Sequence, residues 1–278
     1  MARLYRSHPP GEGWQAARSA FLERFRAVHA NGRSHLGQRY VAGASGHEIV
    51  RGHAFLADRL IQGLWRVLGD YLESHRRELP LCVAAVGGYG RAELHPFSDI
   101  DLLLLHEGSA EEAAAFAEPL LHFLWDIGLP VSHALRTPAE CISDAWDDLS
   151  IQTSLLEARP LAGDPDLFGR FETTFRAEAL ADFPGFLAAK EWEQAARHDR
   201  YGGPVYHLEP NVKESWGGLR DIHQLYWLAR FRYGSVSLRQ VVTAGALTAT
   251  ELRRLRRARE FLWRVRNGLH YLANRNEN

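Results

Sequence analysis

The chain has little sulfur and few lysines: two cysteines, one methionine, and only Lys190 and Lys213 among 33 basic residues. Cys82 and Cys141 are too few for a disulfide framework and lack metal-ligand spacing, so they read as buried thiols of a reducing compartment. Fourteen histidines are scattered without a His-x-x-x-His pattern. The formal net charge of −1 gives no broad basic field, which argues against a nucleic acid as partner. No apolar run approaches a membrane span, and Met1 to Arg6 has no signal-peptide core. A soluble, cytoplasmic chain without a membrane partner is therefore expected. The Walker-type phosphate loop and the Gly-x-Gly-x-x-Gly turn of dinucleotide sites are both missing.

What the sequence does hold is concentrated between Leu81 and Leu105. Leu81 to Val86 is an apolar run of strand length, and Gly87-Gly88-Tyr89-Gly90 follows it directly. Glycines after a strand turn the backbone tightly and expose N–H groups to an anion. Asp99 and Asp101, two residues apart on a second apolar run, place both carboxylates on one strand face while Ile100 and Leu102 point to the core. Two like charges held so close repel, and a divalent cation relieves the repulsion. Either feature alone is ordinary; a glycine turn, a nine-residue loop and an acidic strand in series suit metal-dependent nucleotidyl transfer.

The Gly87 to Leu105 segment resembles the signature of the DNA polymerase β nucleotidyltransferase superfamily, and specifically that of the bacterial PII uridylyltransferase/uridylyl-removing enzymes. A second segment, Glu209 to Ile222, is similar to the block that follows the transferase domain in that family. Ala92 stands where the family often has glycine, and Ser215-Trp216 where Gly-Pro is common. The resemblance implies an α+β fold: a polymerase β-like nucleotidyltransferase domain, a small mixed sheet with flanking helices, joined to N-terminal helices and a C-terminal helical domain. It further implies Mg2+ as cofactor, UTP as donor and a tyrosine of the PII signal protein as acceptor, in a fragment without the uridylyl-removing and sensing domains. The residues themselves show no uridine preference. A relative that modifies another protein with ATP, and a nucleotide-binding regulatory module without catalysis, stay open.

Three regions are expected: helices over 1–78, the catalytic core over 79–164 and a helical region over 165–278. In the first, the spacing of Trp14 to Val28 and of Ile49 to Tyr71 predicts two helices, with Asn31 to Ser45 as a loop. In the second, a helix over Ala110 to Ile127, a strand over Leu129 to Leu135 and a capped helix start at Thr137-Pro138 precede the ambiguous run Ile151 to Leu161, with a strand near Glu157 preferred. Gly163-Asp164-Pro165 marks the boundary. Beyond it, helices are predicted over Asp166 to Ala177, Ala188 to Arg200, Leu219 to Tyr233 and Thr248 to Ala273.

Asp99 and Asp101 are the metal-binding and catalytic candidates, and the family pattern of a third carboxylate points to Glu157, whose alternative is an ion pair with Arg91 or Arg159. Gly87 and Gly88 by their N–H groups, Ser98 by its hydroxyl and Lys213 by its ammonium are the nucleotide-binding candidates. Arg91 and Glu93 are expected to pair across the loop. Lys213 either meets phosphate, together with a helix N-terminus near Leu219, or belongs to a block that only packs two regions together. Lys190, on an amphipathic helix, is expected to be solvated.

Overall fold

The computed structural model describes residues 12–72, 80–201, 211–234 and 238–278. Helices α1 (Glu12–Val41) and α2 (Gly46–Leu72) open the chain. The loop expected between Asn31 and Ser45 is instead mostly helix: Gly32 and Gly37 stand inside α1, which packs on α2, and only Gly43, at φ 91°, lies past its end. A Cβ on Gly32 would fall 2.7 Å from the Leu56 side chain, so a larger residue there would have to displace that side chain.

Strand β1 (Leu81–Ala85) leads through a single helical turn, α3 (Gly87–Gly90), into β2 (Ile100–His106), then α4 (Ala110–Ile127) and β3 (Val131–Arg136). Ser109 and Glu112 form the capping box of α4, and Gly128 closes it at φ 93°. Helix α5 (Pro138–Asp147) starts at the expected Thr137 capping box. Asp148 caps α6 (Leu149–Leu156), and β4 (Arg159–Gly163) follows. The sheet runs β3-β2-β1-β4, with β2 and β3 parallel and both pairings of β1 antiparallel.

Both faces of the sheet are covered, which is why its central strands are continuous apolar runs. Val83, Ala85, Ile100, Leu102 and Leu104 pack with α1, α2 and α4; Cys82, Ala84, Leu103 and Leu105 pack under α5, α6 and α7 (Pro165–Glu178). Phe168, Phe171 and Phe175 of α7 belong to that second core, so packing runs on across Gly163-Asp164-Pro165. Phe186 of α8 (Phe183–Tyr201) and Trp227 and Phe231 of α9 (Leu219–Tyr233) extend it. Helix α8 begins earlier than expected: Asp182 accepts from the Gly185 N–H at 3.0 Å, and Pro184 sits in the first turn, where it costs no hydrogen bond.

The short α10 (Leu238–Thr243) and the long α11 (Ala249–Ala273) complete the fold. Glu260 of α11 accepts from the N–H groups of Gly46 and His47, capping α2 from across the chain. A Cβ on Gly46 would lie 2.7 Å from Trp263, so only glycine lets α11 lie this close. No helix among the described residues is long and apolar enough to cross a membrane.

Candidate active site

The β1–α3 junction sets the site. Gly87 has φ 55°, a left-handed value that favours glycine, and the space over it is bounded by Ser154 Oγ at 3.4 Å and Asp101 Oδ2 at 3.5 Å from where a Cβ would stand. The Val86 N–H donates to the Asp101 carbonyl at 3.1 Å, so the glycine turn sits directly beside the second acid. The first amides of a helical turn have no acceptor within it, and among the described residues those of Gly87 and Gly88 donate to no backbone carbonyl.

The loop from Arg91 to Asp99 is tied down along its length. Glu93 N–H donates to Gly88 O at 2.9 Å, and Leu94 N–H reaches Val50 O of α2 at 3.2 Å. His95 Nδ1 lies 2.7 Å from Asn267 Oδ1, and the Phe97 N–H donates to His270 Nδ1 at 3.2 Å, both on α11. Asp99 is exposed just ahead of β2, while Asp101 is half-buried within it.

All seven residues singled out from the sequence meet in one cavity of about 240 Å³: Gly87, Gly88, Ser98, Asp99, Asp101, Glu157 and Lys213 line it. Among the described residues, neither Asp99 nor Asp101 has a salt-bridge partner. Burial, and then the charge of Asp99, push the Asp101 carboxyl above its ordinary range, against the pull of Lys213. Two unpaired hard-oxygen donors fit Mg2+, which binds through one or two carboxylates and completes its shell with water and phosphate oxygens. No group of three metal-ligating side chains is assembled among the described residues.

Glu157 is not on a strand. It is the C-cap of α6, two residues before β4, because the capped apolar run around Ile151 folds as a helix. Its carboxylate is buried and paired with Arg91 Nη1 at 2.5 Å, and Arg91 also holds Glu93 at 2.9 Å. Burial raises the Glu157 carboxyl against the lowering effect of Arg91. Arg159, the other partner considered, pairs with Asp58 at 2.9 Å. Gly90 explains the tight fit: a Cβ there would stand 2.9 Å from the Glu157 carbonyl carbon and 3.1 Å from Ala85 O.

Lys213 reaches the cavity from a built loop. The side chain of Asn211 accepts from the N–H groups of Lys213 and Glu214 at 3.0 and 2.7 Å, Arg197 donates to Glu214 O at 2.7 Å, and Asp221 accepts from Gly217 N–H at 2.8 Å. Glu209 and Pro210 lie outside the described residues. Burial, then repulsion by Arg220 and Arg266, lowers the Lys213 ammonium below its usual range. The α9 N-terminus does not serve an anion as expected, since its leading amides are taken: Leu219 N–H donates to Val212 O at 3.0 Å and Arg220 N–H to Lys213 O at 2.9 Å. Lys190 is not solvated either. It is 1% exposed, 2.5 Å from Glu193 and 4.3 Å from the Trp227 ring centroid.

Arg220, His223 and Arg266 also line the cavity, and sequence reasoning missed them. Arg220 and His223 lie in or beside the second motif, a signal that pointed to them. Arg266 is one of many arginines on α11 and carried none.

Residues 185–278 match the family described as GlnD PII-uridylyltransferase, and residues 33–134 match a nucleotidyltransferase family, DUF294. The chain is 40% identical over 95% of its length to a bifunctional uridylyltransferase/uridylyl-removing enzyme of Erythrobacter litoralis, and 39% over 94% to that of Azotobacter vinelandii. The Pseudomonas aeruginosa enzyme of the same name is 38% identical over 94% of the chain. The chain spans about 29% of the length of each of these relatives.

Proposed function

From its homology to part of the bifunctional uridylyltransferase/uridylyl-removing enzymes, we propose that this chain is a Mg2+-dependent nucleotidyltransferase that moves UMP from UTP to a tyrosine of the PII signal protein and releases pyrophosphate. The observation that carries the reading is the convergence of a glycine turn, two unpaired aspartates and a lysine on one cavity. Asp99 and Asp101 hold Mg2+, which when bound offsets negative charge on the phosphates.

The chain's own groups do the rest. The amides of Gly87 and Gly88 meet the outer phosphates, Ser98 adds a hydroxyl, and Lys213 supplies a compact positive charge. Glu157 is the third carboxylate in this proposal; it reaches the reacting atoms only by exchanging its contact with Arg91, which keeps Glu93 as a second partner. The wall groups thus place the α-phosphate for in-line attack, and most of the catalytic effect is positioning and electrostatics.

The test is incubation with PII, Mg2+ and each labelled nucleoside triphosphate in turn. Transfer of label from UTP to PII supports the proposal. Label entering protein only from ATP, or no transfer from any triphosphate, contradicts it.

A further inference from the structure

Arg266 stands apart from the other charged groups of the cavity. The residue is 7% exposed, and among the described residues its Nε has no hydrogen-bond partner and no carboxylate forms a salt bridge with it. The basic residues around it are otherwise occupied: Arg91 with Glu93 and Glu157, and Arg220 with Glu214 at 3.0 and 3.2 Å. Burying an uncompensated guanidinium is costly, and proteins generally pair such a charge or use it.

Arg266 is nonetheless firmly placed. On the same helix Glu260 caps α2, Asn267 binds His95 and His270 accepts from Phe97 N–H. Its neighbours hold the backbone, and its own Nε finds no acceptor among the described residues. Arg266 lines the cavity that contains Asp99 and Asp101. Among the described residues, with Lys213 3.6 Å from Glu214, the charged groups of the cavity without a salt bridge are Asp99, Asp101 and, from α11, Arg266.

We propose that Arg266 is a phosphate-binding residue of this site, a guanidinium supplied by the last helix to the phosphate oxygens of the bound nucleoside triphosphate. A planar fork of donors matches phosphate oxygens, and an anion there completes the pairing that the protein leaves open. Burial lowers the Arg266 guanidinium to about 10, partly offset by Glu214 and reinforced by Arg220 and Arg91; it remains charged at neutral pH. The inference rests on the nucleotidyltransferase reading of the cavity and adds α11 to the elements that bind substrate.

The test uses Arg266→Met and Arg266→Lys in the whole chain, with Mg2+–UTP, inorganic tripolyphosphate and uridine as separate probes in titration calorimetry. Arg266→Met is expected to weaken UTP and tripolyphosphate binding by roughly 10- to 100-fold, the scale of charge-assisted hydrogen bonds, and to leave uridine unaffected. Arg266→Lys, which keeps the charge, loses less. Because Met removes an unpaired buried charge, the Met variant should also melt higher, by roughly 2–4 °C. Unchanged tripolyphosphate affinity in a folded Met variant overturns the proposal, and so does a lowered melting temperature, which makes Arg266 structural. A wild-type chain that binds UTP while Arg266→Met binds it equally well defeats only this inference; a wild-type chain that binds neither UTP nor tripolyphosphate defeats the transferase reading itself.

Discussion

The backbone N–H of Phe97 donates to Nδ1 of His270 at 3.2 Å, two residues before Asp99. With His95 on Asn267, this fastens the loop between the glycine turn and the acidic strand to the last helix. The bond needs a neutral imidazole, since a protonated Nδ1 has no lone pair to accept with. Burial, then the charge of Arg266, lowers His270 to about 4, and burial lowers His53, bonded to Tyr271 on the same helix, to about 3.

Stability should therefore fall with acid. In the unfolded chain these two rings take up protons near pH 6.5, but in the fold only near 4 and 3, so the folded state binds fewer protons in between. Their full contribution is present above pH 6.5 and is lost as pH falls from there toward the folded values. At pH 5 the cost is on the order of 2 kcal/mol for each ring. Urea unfolding at pH 7.5 and pH 5 checks this, and His270→Asn should flatten the dependence.

Asp101→Asn is expected to lower the transfer rate by at least two powers of ten, about 3 kcal/mol of lost transition-state stabilisation. The same change should raise the melting temperature, because burial and then the charge of Asp99 disfavour the Asp101 carboxylate. Transfer assays and thermal melts on one preparation read both effects.

Arg91→Met should cost about 3–5 kcal/mol in urea unfolding, since it strands buried Glu157, while Glu93 keeps Arg259 at 3.8 Å. Glu157→Gln keeps an acceptor for Arg91 and should cost less stability. If Glu157 is the third carboxylate, that variant nevertheless loses two powers of ten in kcat; a near-normal kcat assigns Glu157 to the ion pair alone.

Lys213→Ala is expected to weaken triphosphate binding without moving the melting temperature. The loop is held by Asn211, Arg197 and Asp221, while the ammonium makes one weak contact, 3.6 Å to Glu214. Lost stability with normal affinity would instead identify the loop as a packing element.

The sheet and most helices were legible because local signals agreed with the tertiary environment. Thr137 and Thr248 each cap the helix that follows, and Asp99 to Leu105 sets its two acids at the head of an apolar strand buried on both sheet faces. Failures came where one residue type serves two purposes. Gly32 reads as loop but lies inside α1 beside the Leu56 side chain, and Pro184 lies in the first turn of α8, ahead of the Ala188 start expected from the sequence. The run before Glu157 was decided by the Asp148 cap, which its apolar period does not reveal. Lys190 read as solvated because nothing local shows that Trp227 covers it. The site was visible where its groups are contiguous; Arg266 arrives by long-range packing, set by the contacts of Glu260, Asn267 and His270, and has no sequence signature.

The central claim is nucleotidyl rather than phosphoryl transfer at the Asp99–Asp101 cavity. It is tested most directly by supplying the chain with PII, Mg2+ and UTP labelled either at the α- or at the γ-phosphate. The account predicts that α-label enters PII while γ-label leaves as pyrophosphate, and that Asp101→Asn abolishes the incorporation. Entry of γ-label into PII, or undiminished α-label incorporation by Asp101→Asn, would contradict it.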